Sequence, residues 1–241
     1  MAVNLRDCSP FASTHKAGLD DSQLSAWEQA FEAGIERAEA GDHAQAIEHF
    51  LAAAAIDDSY AELQFRLGQS YLAERQEPPA RQAFMAARDL DALRFRADSR
   101  INQIIRDVAD EQGTDVHFVD AEKALNDSAS SIAHLPGSAL FYEHVHLTFE
   151  GNYEVARAMF PVVVDRLPEA IRSTGPESPA APTRATAAKL TGLTAWGQLQ
   201  MYSYMVQMIA HPPFTEQFDY AQRREALKEM VRRFESPDET E

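Results

Sequence analysis

The feature that most constrains the fold of this chain is a set of small and aromatic residues repeated at an interval of 34 residues. Four pairs of identical residues share the interval: Gly34 and Gly68, Ala46 and Ala80, Phe50 and Phe84, and Ala53 and Ala87. Small residues let two helices cross closely, and a phenylalanine can fill the space between repeats. The pattern predicts two helix hairpins, with helices near 23–40, 43–56, 60–74 and 78–89, and it predicts that Phe50 and Phe84 are buried in equivalent positions.

The interval and the residue types resemble those of tetratricopeptide repeats. Such repeats normally need about three copies to form a free-standing stack, and this chain supplies two. We expect the helix at 94–112 to cap them. Its apolar residues are spaced as one face of a helix: Phe95, Ile101, Ile104, Ile105 and Val108. A protein or peptide is the expected partner of the repeat pair.

A second motif, FYEHVHLTFEGNY at 141–153, contains the residue types of an acid–base site. Glu143 precedes His146 by three residues, so its carboxylate can bond Nδ1–H of the imidazole and leave Nε2 free as a base. His144 alternates with His146 and is expected to point away in an extended segment. Two alternatives stay open. One is a histidine that only packs in the core, and the other is a zinc site formed by Glu143, His144 and His146.

The motif at 141–153 resembles the last sequence block of the SGNH (GDSL-type) hydrolases, in which an acid stands three residues before a histidine and a glycine then leads a helix. Glu143 stands where the acid, usually aspartate, is found; His146 matches the base and Gly151 the glycine. The resemblance implies that His146 is the catalytic base and that Glu143 orients it. Three further stretches resemble one bacterial group in which tetratricopeptide repeats accompany an SGNH-like domain: LRDCSPFAS (5–13), LDALRFRADSRINQIIRDVA (90–109) and FVDAEKAL (118–125).

The resemblance implies an open sheet of about five parallel strands, but this chain has only two strand candidates, 2–6 and 116–120. The predicted fold class is therefore mainly α, with two tetratricopeptide helix hairpins plus a partial α/β, SGNH-like C-terminal segment with few short parallel strands. No serine follows a strand in a G-D-S or G-x-S-x-G turn. The available serines are Ser9, Ser13, Ser99, Ser128 and Ser138. We expect the nucleophile half of the domain to be missing from this chain, and we count that half among its expected partners.

The predicted organisation has five segments. Residues 1–20 supply a strand and a loop of the partial SGNH-like domain, and 21–93 form the two repeats. Residues 94–172 are the C-terminal segment of that domain. They include a predicted helix at 151–167 that faces inward at Tyr153, Ala156, Phe160 and Val163, and Pro161 should bend this helix or start a second one. The Pro-, Ser- and Thr-rich residues 173–189 are predicted to be a linker. Residues 190–241 are predicted to form C-terminal helices, near 190–210 and 219–234.

Composition narrows the classes of function. There are 22 Lys and Arg residues against 38 Asp and Glu, which gives a formal net charge of −16. Nucleic acid is therefore not an expected partner, because phosphate contacts need clustered cations. Cys8 is the only cysteine, which excludes an internal disulfide and a cysteine-based zinc site. No cofactor motif and no metal site are predicted.

No stretch approaches the ~20 apolar residues of a membrane span, and no signal peptide opens the sequence. Taken as written, the chain is expected to be cytoplasmic, an inference that lapses if it is a fragment. The charged run Arg94, Arg96, Asp98 and Arg100 is either an anchoring patch for an anionic substrate or a salt-bridged surface. Two functions follow as alternatives. One is part of an SGNH-like ester hydrolase or acyltransferase, inactive without its nucleophile half, and the other is a non-catalytic protein-interaction module.

Overall fold

The computed structural model describes residues 1–113, 116–176 and 179–235. Over these residues the chain is mainly helical, with eleven α-helices and no strand beyond isolated bridges. The helices are α1 (Asp21–Glu39), α2 (His43–Ile56), α3 (Ala61–Ala73), α4 (Glu77–Asp89), α5 (Ser99–Glu111), α6 (Ala121–Asn126), α7 (Phe149–Arg166), α8 (Glu169–Arg172), α9 (Arg184–Leu190), α10 (Ala195–Met208) and α11 (Tyr220–Glu235). The predicted mainly α class is confirmed.

The first four helices form two hairpins, α1–α2 and α3–α4, at the predicted positions. The turn in each hairpin has a residue with positive φ, Gly41 at 79° and Arg75 at 58°, again 34 residues apart. Glycine adopts this conformation without steric cost, whereas Arg75 must be held there by the turn. Phe50 and Phe84 are 0% and 1% exposed, so their predicted burial is confirmed.

Each phenylalanine belongs to its own core cluster. Phe50 packs with Trp27, Leu63 and Leu67 inside the first hairpin and against α3. Phe84 packs in a second cluster with Phe65 of α3 and with apolar residues from outside the repeats, Val3, Leu5 and Leu135. The N-terminal segment and the loop that carries Leu135 therefore cover the second repeat.

The helix predicted to be the cap leaves its apolar face uncovered. Ile101, Ile104 and Val108 of α5 are 40%, 51% and 50% exposed, so this face is open. The buried Arg88 of α4 donates to Ser99 at 2.5 Å, which holds the start of α5 beside α4. Helix periodicity predicted this helix, although it begins at Ser99 and not at 94, but it does not determine which surface the helix covers.

The two predicted strands are not formed. Val3, Asn4 and Leu5 are buried, but residues 2–6 make only single backbone bonds, such as Asn4 N to His144 O at 2.9 Å and Leu5 N to Pro136 O at 3.1 Å. Residues 116–120 have no strand partner, and Val116 and Phe118 are each 42% exposed. A strand needs a neighbour to receive its backbone hydrogen bonds. The partial parallel sheet is thus not supported in the described part of the chain.

Helix α7 begins at Phe149, two residues before the predicted start, and it runs through Pro161 as one element. Gly151 is its buried residue, whereas Val163, predicted to face inward, is 52% exposed. The side of α7 that the periodicity predicts as a core face is therefore largely open.

The C-terminal helices differ in their bounds from the prediction. Helix α9 lies within the segment predicted as a linker, and Gly192, with φ of 68°, lies between it and α10. Helices α10 and α11 form a hairpin around Met205, Ile209 and Leu227. None of the helices over the described ranges combines the length and the apolar character needed to cross a membrane.

Candidate acid–histidine site

The residues of the predicted acid–base pair lie on a tight loop between two anchors. Tyr142 N donates to His146 O at 2.8 Å, and a bridge between Phe141 and Leu147 closes the loop. Thr148 then caps α7 by accepting from Gly151 N at 3.2 Å. The pair is therefore presented by a loop just before α7.

Glu143 is the centre of this loop and is 1% exposed. Its Oε1 accepts from His146 N at 2.7 Å, and its Oε2 accepts from His144 N at 2.5 Å and from Val145 N at 3.3 Å. The same Oε1 bonds Nδ1 of the His146 ring. The structure thus brings the two predicted site residues together, and it holds the carboxylate with three backbone donors.

The His146 ring is the exposed member of the pair, with 57% of its side chain accessible. Because Nδ1 is bonded to a carboxylate, the proton of the neutral ring belongs on Nδ1 and the lone pair on Nε2. Nε2 makes no hydrogen bond to another group of the described residues. The ring therefore presents a basic nitrogen to the surface.

His144 is a packing residue in this arrangement. It is 8% exposed, and its ring centroid lies 5.3 Å from that of Phe11, 5.3 Å from Phe214 and 6.1 Å from Phe95. Its Nδ1 lies against Oε2 of Glu143 but has no hydrogen-bond geometry there. The expectation that His144 points away from the pair is therefore wrong, since both imidazoles contact one carboxylate.

The environment of His144 also fixes its charge. Burial lowers the pKa of His144 to about 3, and the positive charge of Arg96 adds to this effect, followed by His146 and Arg223. His144 is consequently neutral near pH 7. Only His146, the exposed ring, has the access that a base requires.

A buried polar shell that sequence patterns did not predict supports the loop. Asn4 donates through Nδ2 to Glu143 O at 2.8 Å, and Arg96 donates to Asn4 O at 3.1 Å and Cys8 O at 2.7 Å. Arg96 is 4% exposed and pairs with the buried Asp91 at 3.3 Å. The charged run at 94–100 is thus partly internal. The alternation of charges does not predict this burial, because the two carbonyl partners of Arg96, on Asn4 and Cys8, lie about ninety residues earlier in the chain.

None of the candidate serines meets His146 in the described ranges. Ser9 is buried and donates to Asp219 at 2.6 Å, and Ser138 donates to Asp7 at 2.8 Å. Ser13, Ser99 and Ser128 accept hydrogen bonds from Glu62 N, Arg88 and Ser130 N, respectively. The pair has no hydroxyl nucleophile bonded to it in this part of the chain.

A metal at the loop finds no support either. No group of three or more His, Cys, Asp or Glu side chains in the described residues has an arrangement that would hold a metal ion. Each oxygen of Glu143 already accepts two hydrogen bonds, so the acceptor sites of the carboxylate are filled.

Comparisons with protein-family models, with curated proteins and with solved structures each found no match to this chain. The function of the site must therefore be inferred from its own geometry.

Proposed function

We propose that Glu143 and His146 are the acid–base part of an ester hydrolase or acyltransferase site of the SGNH-like type, whose nucleophile lies in a separate polypeptide segment. The observation that carries the proposal is the fixation of the Glu143 carboxylate by three backbone N–H groups. This fixation aims Oε1 at Nδ1 of His146, so the ring is oriented before any substrate arrives.

In the complete site a serine would attack the acyl carbonyl while its proton passes to Nε2 of His146. The imidazolium would then return this proton to the leaving group. Glu143 would stabilise the imidazolium through Nδ1–H and would keep the ring in the productive tautomer. A buried carboxylate facing an exposed ring suits these two roles.

The open apolar surfaces of α5 and α7 support the idea that another segment completes the fold. Ile104 and Val108 of α5, and Met159 and Val163 of α7, are 45–52% exposed. Large exposed apolar patches are typical of surfaces that another polypeptide covers. The missing half of the domain is the partner that we assign to them.

The tautomer of His146 tests the acid–base role directly. In a ¹⁵N-labelled sample the ring nitrogens report which of them is protonated, and we expect the Nδ1–H form of His146 to dominate in the neutral ring. The variant His144→Phe leaves this signal in place and removes the neighbouring ring from the spectrum. A dominant Nε2–H form would contradict the proposed role.

The chain alone is expected to hydrolyse p-nitrophenyl acetate only at background rate. An activated nucleophile and an oxyanion hole contribute most of the acceleration in acyl transfer, and one donor of the hole is by itself worth ~10²–10³ in rate. His146→Ala should therefore leave this background unchanged. Robust turnover that disappears in His146→Ala would show that a serine of this chain reaches the base, which would refute the separate nucleophile.

A second candidate function is a non-catalytic interaction module built on the tetratricopeptide-like pair. A groove of about 600 Å³ runs between α2, α3 and α4, and Leu51, which is 47% exposed, lies on it. We assign the groove to a second copy of this chain. Sedimentation velocity should show concentration-dependent association that Leu51→Asp abolishes and that Ile101→Asp, an exposed change outside the groove, does not. A monomer at all concentrations would exclude this assignment.

A further inference from the structure

A large cavity borders the loop of the acid–histidine pair without including Glu143 or His146 in its wall. Its volume is about 1010 Å³, and it lies between the residues around 138–150 and the α10–α11 hairpin. Tyr142 lines it, whereas neither Glu143 nor His146 does. The cavity is therefore a separate site, and its size is that of pockets that hold organic ligands.

One part of the cavity wall is apolar and largely aromatic. Side chains from α3, from the loop, from the start of α7 and from both helices of the hairpin contribute to it: Phe65, Phe141, Phe149, Tyr202, Leu227 and Phe234. Aromatic rings give a large apolar contact area at a small cost in conformational entropy. This wall suits the apolar body of a ligand.

Basic residues outnumber acidic residues around the cavity, whereas acidic residues outnumber basic ones in the whole chain. Four arginines line it, Arg6, Arg184, Arg223 and Arg233, against three acids, Asp7, Glu150 and Asp219. Elsewhere acids dominate, since the chain has 38 acidic and 22 basic residues. The three acids already accept hydrogen bonds from Ser138 and Arg6, from Arg184 and from Ser9, respectively.

Arg6 is the most constrained of these cations. Its Nε and Nη2 donate to Asp7 at 2.8 and 2.7 Å, and Asp7 also accepts from Ser138 N at 2.7 Å. A Cβ at Gly137 would lie 2.7 Å from Cζ of Arg6, so only glycine lets the guanidinium approach this closely. The guanidinium is thus locked in place by its surroundings.

One donor of this locked guanidinium is left over. Nη1 of Arg6 is buried and has no acceptor among the described residues. A buried donor cannot meet a ligand in the open cavity, so Arg6 adds positive charge to the cavity wall rather than a hydrogen bond. An anionic oxygen is the strongest acceptor for a guanidinium that the cavity does expose. Arg223 lines the same cavity and donates at 2.6 Å to the neutral Gln217.

We infer that this cavity binds an amphipathic carboxylate, with its head group on Arg223 and its apolar chain against the aromatic wall. The inference is independent of the acid–base role of His146 and holds equally for a chain that has no catalytic function.

Calorimetric titration with dodecanoate, at concentrations where the probe is monomeric, tests the inference. We expect saturable binding at a stoichiometry of one, about tenfold or more tighter than that of dodecanol, since the alcohol has the same chain without the charge. Dodecyltrimethylammonium should bind more weakly than either probe. No binding of dodecanoate, or equal binding of acid and alcohol, would overturn the inference.

Two pairs of variants locate the site. Arg223→Gln should weaken dodecanoate at least about fivefold, whereas Arg157→Gln, which removes an arginine outside the cavity, should leave the affinity unchanged. Ala226→Trp places a large side chain in the cavity and should abolish binding, whereas Ala221→Trp lies outside the lining on the same helix. Dodecanoate binding that survives both Arg223→Gln and Ala226→Trp unchanged would place the ligand elsewhere and overturn the inference.

Discussion

The close approach of Gly34 to Phe50 leads to a prediction with a matched internal comparison. A Cβ added at Gly34 would lie 2.5 Å from Cε1 of the Phe50 ring, whereas one at Gly68 would lie 2.9 Å from Cδ2 of Phe84. Overpacking of a core costs about 1–3 kcal/mol, and replacing a helical glycine by alanine returns about 0.5–1 kcal/mol. Gly34→Ala should therefore lower the free energy of unfolding by about 1–2 kcal/mol, and Gly68→Ala should lower it by less.

A double-mutant cycle shows whether the ring is the cause. Phe50→Leu removes the atoms that the new methyl group would meet, so Gly34→Ala combined with Phe50→Leu should cost less than the sum of the single changes, by about 0.5–3 kcal/mol. The control combines Gly34→Ala with Phe84→Leu. Phe84 lies in the other core cluster, and this pair should be additive within about 0.5 kcal/mol.

Urea unfolding followed by far-ultraviolet circular dichroism gives all of these free energies. Stabilisation of the protein by Gly34→Ala would refute the predicted clash, since helix propensity would then outweigh it. Equal coupling of Phe50→Leu and Phe84→Leu to Gly34→Ala would refute it as well, because the effect would then not depend on the contact between Gly34 and Phe50.

Three further predictions concern buried side chains. Phe84→Ala should lower the free energy of unfolding by roughly 3–5 kcal/mol, as measured by the same urea titration, since Phe84 is 1% exposed. Burial lowers the pKa of His144 from 6.5 to about 3, so between these pH values the unfolded chain binds one more proton than the folded chain. The free energy of unfolding should therefore fall by up to about 1.4 kcal/mol for each pH unit as the pH drops through this range. His144→Phe should remove this contribution to the pH dependence of stability. Burial raises the pKa of Asp57, but hydrogen bonds from Ser59 and His15 outweigh it and lower the pKa from 3.8 to about 2. The stabilisation by ionised Asp57 is thus complete above about pH 4 and is lost as the pH falls toward 2. Asp57→Asn should therefore make the free energy of unfolding depend less on pH over that range.

The repeat pair could be predicted from sequence because its determinants are local and periodic. Gly34 and Phe50, and likewise Gly68 and Phe84, are sixteen residues apart within one hairpin, and each contact is visible as a repeated identity. The spacing of Glu143 and His146 was informative for a similar reason, since three residues separate a carboxylate from the ring that it bonds. Short-range geometry of this kind is encoded by residue spacing.

The rest depended on contacts between distant parts of the chain. The segment at 2–6 has the composition of a strand, but Asn4 finds its backbone partner in His144, and one such bond does not make a ladder. Arg96 belongs to an alternating charged run, and its burial is decided by the carbonyl groups of Asn4 and Cys8. The apolar face of α5 was predicted to cap the repeats. It stays exposed because Val3, Leu5 and Leu135 already cover the second repeat.

The roles of Glu143 and His146 in stability should separate, because only one of the two side chains is part of the fold. Glu143 is buried and accepts from three backbone N–H groups, so Glu143→Gln places an amide donor among donors and should cost about 1–3 kcal/mol of unfolding free energy. The His146 ring is 57% exposed and bonds only that carboxylate, so His146→Ala should change stability by about 0.5 kcal/mol or less. Urea unfolding of both variants measures the difference. Equal losses of unfolding free energy in the two variants would mean that the His146 ring is needed for the structure of the loop. The exposure of the imidazole would then no longer support an acid–base role. If His146→Ala keeps the stability of the protein while Glu143→Gln lowers it, the loop orients the His146 ring without depending on it for stability.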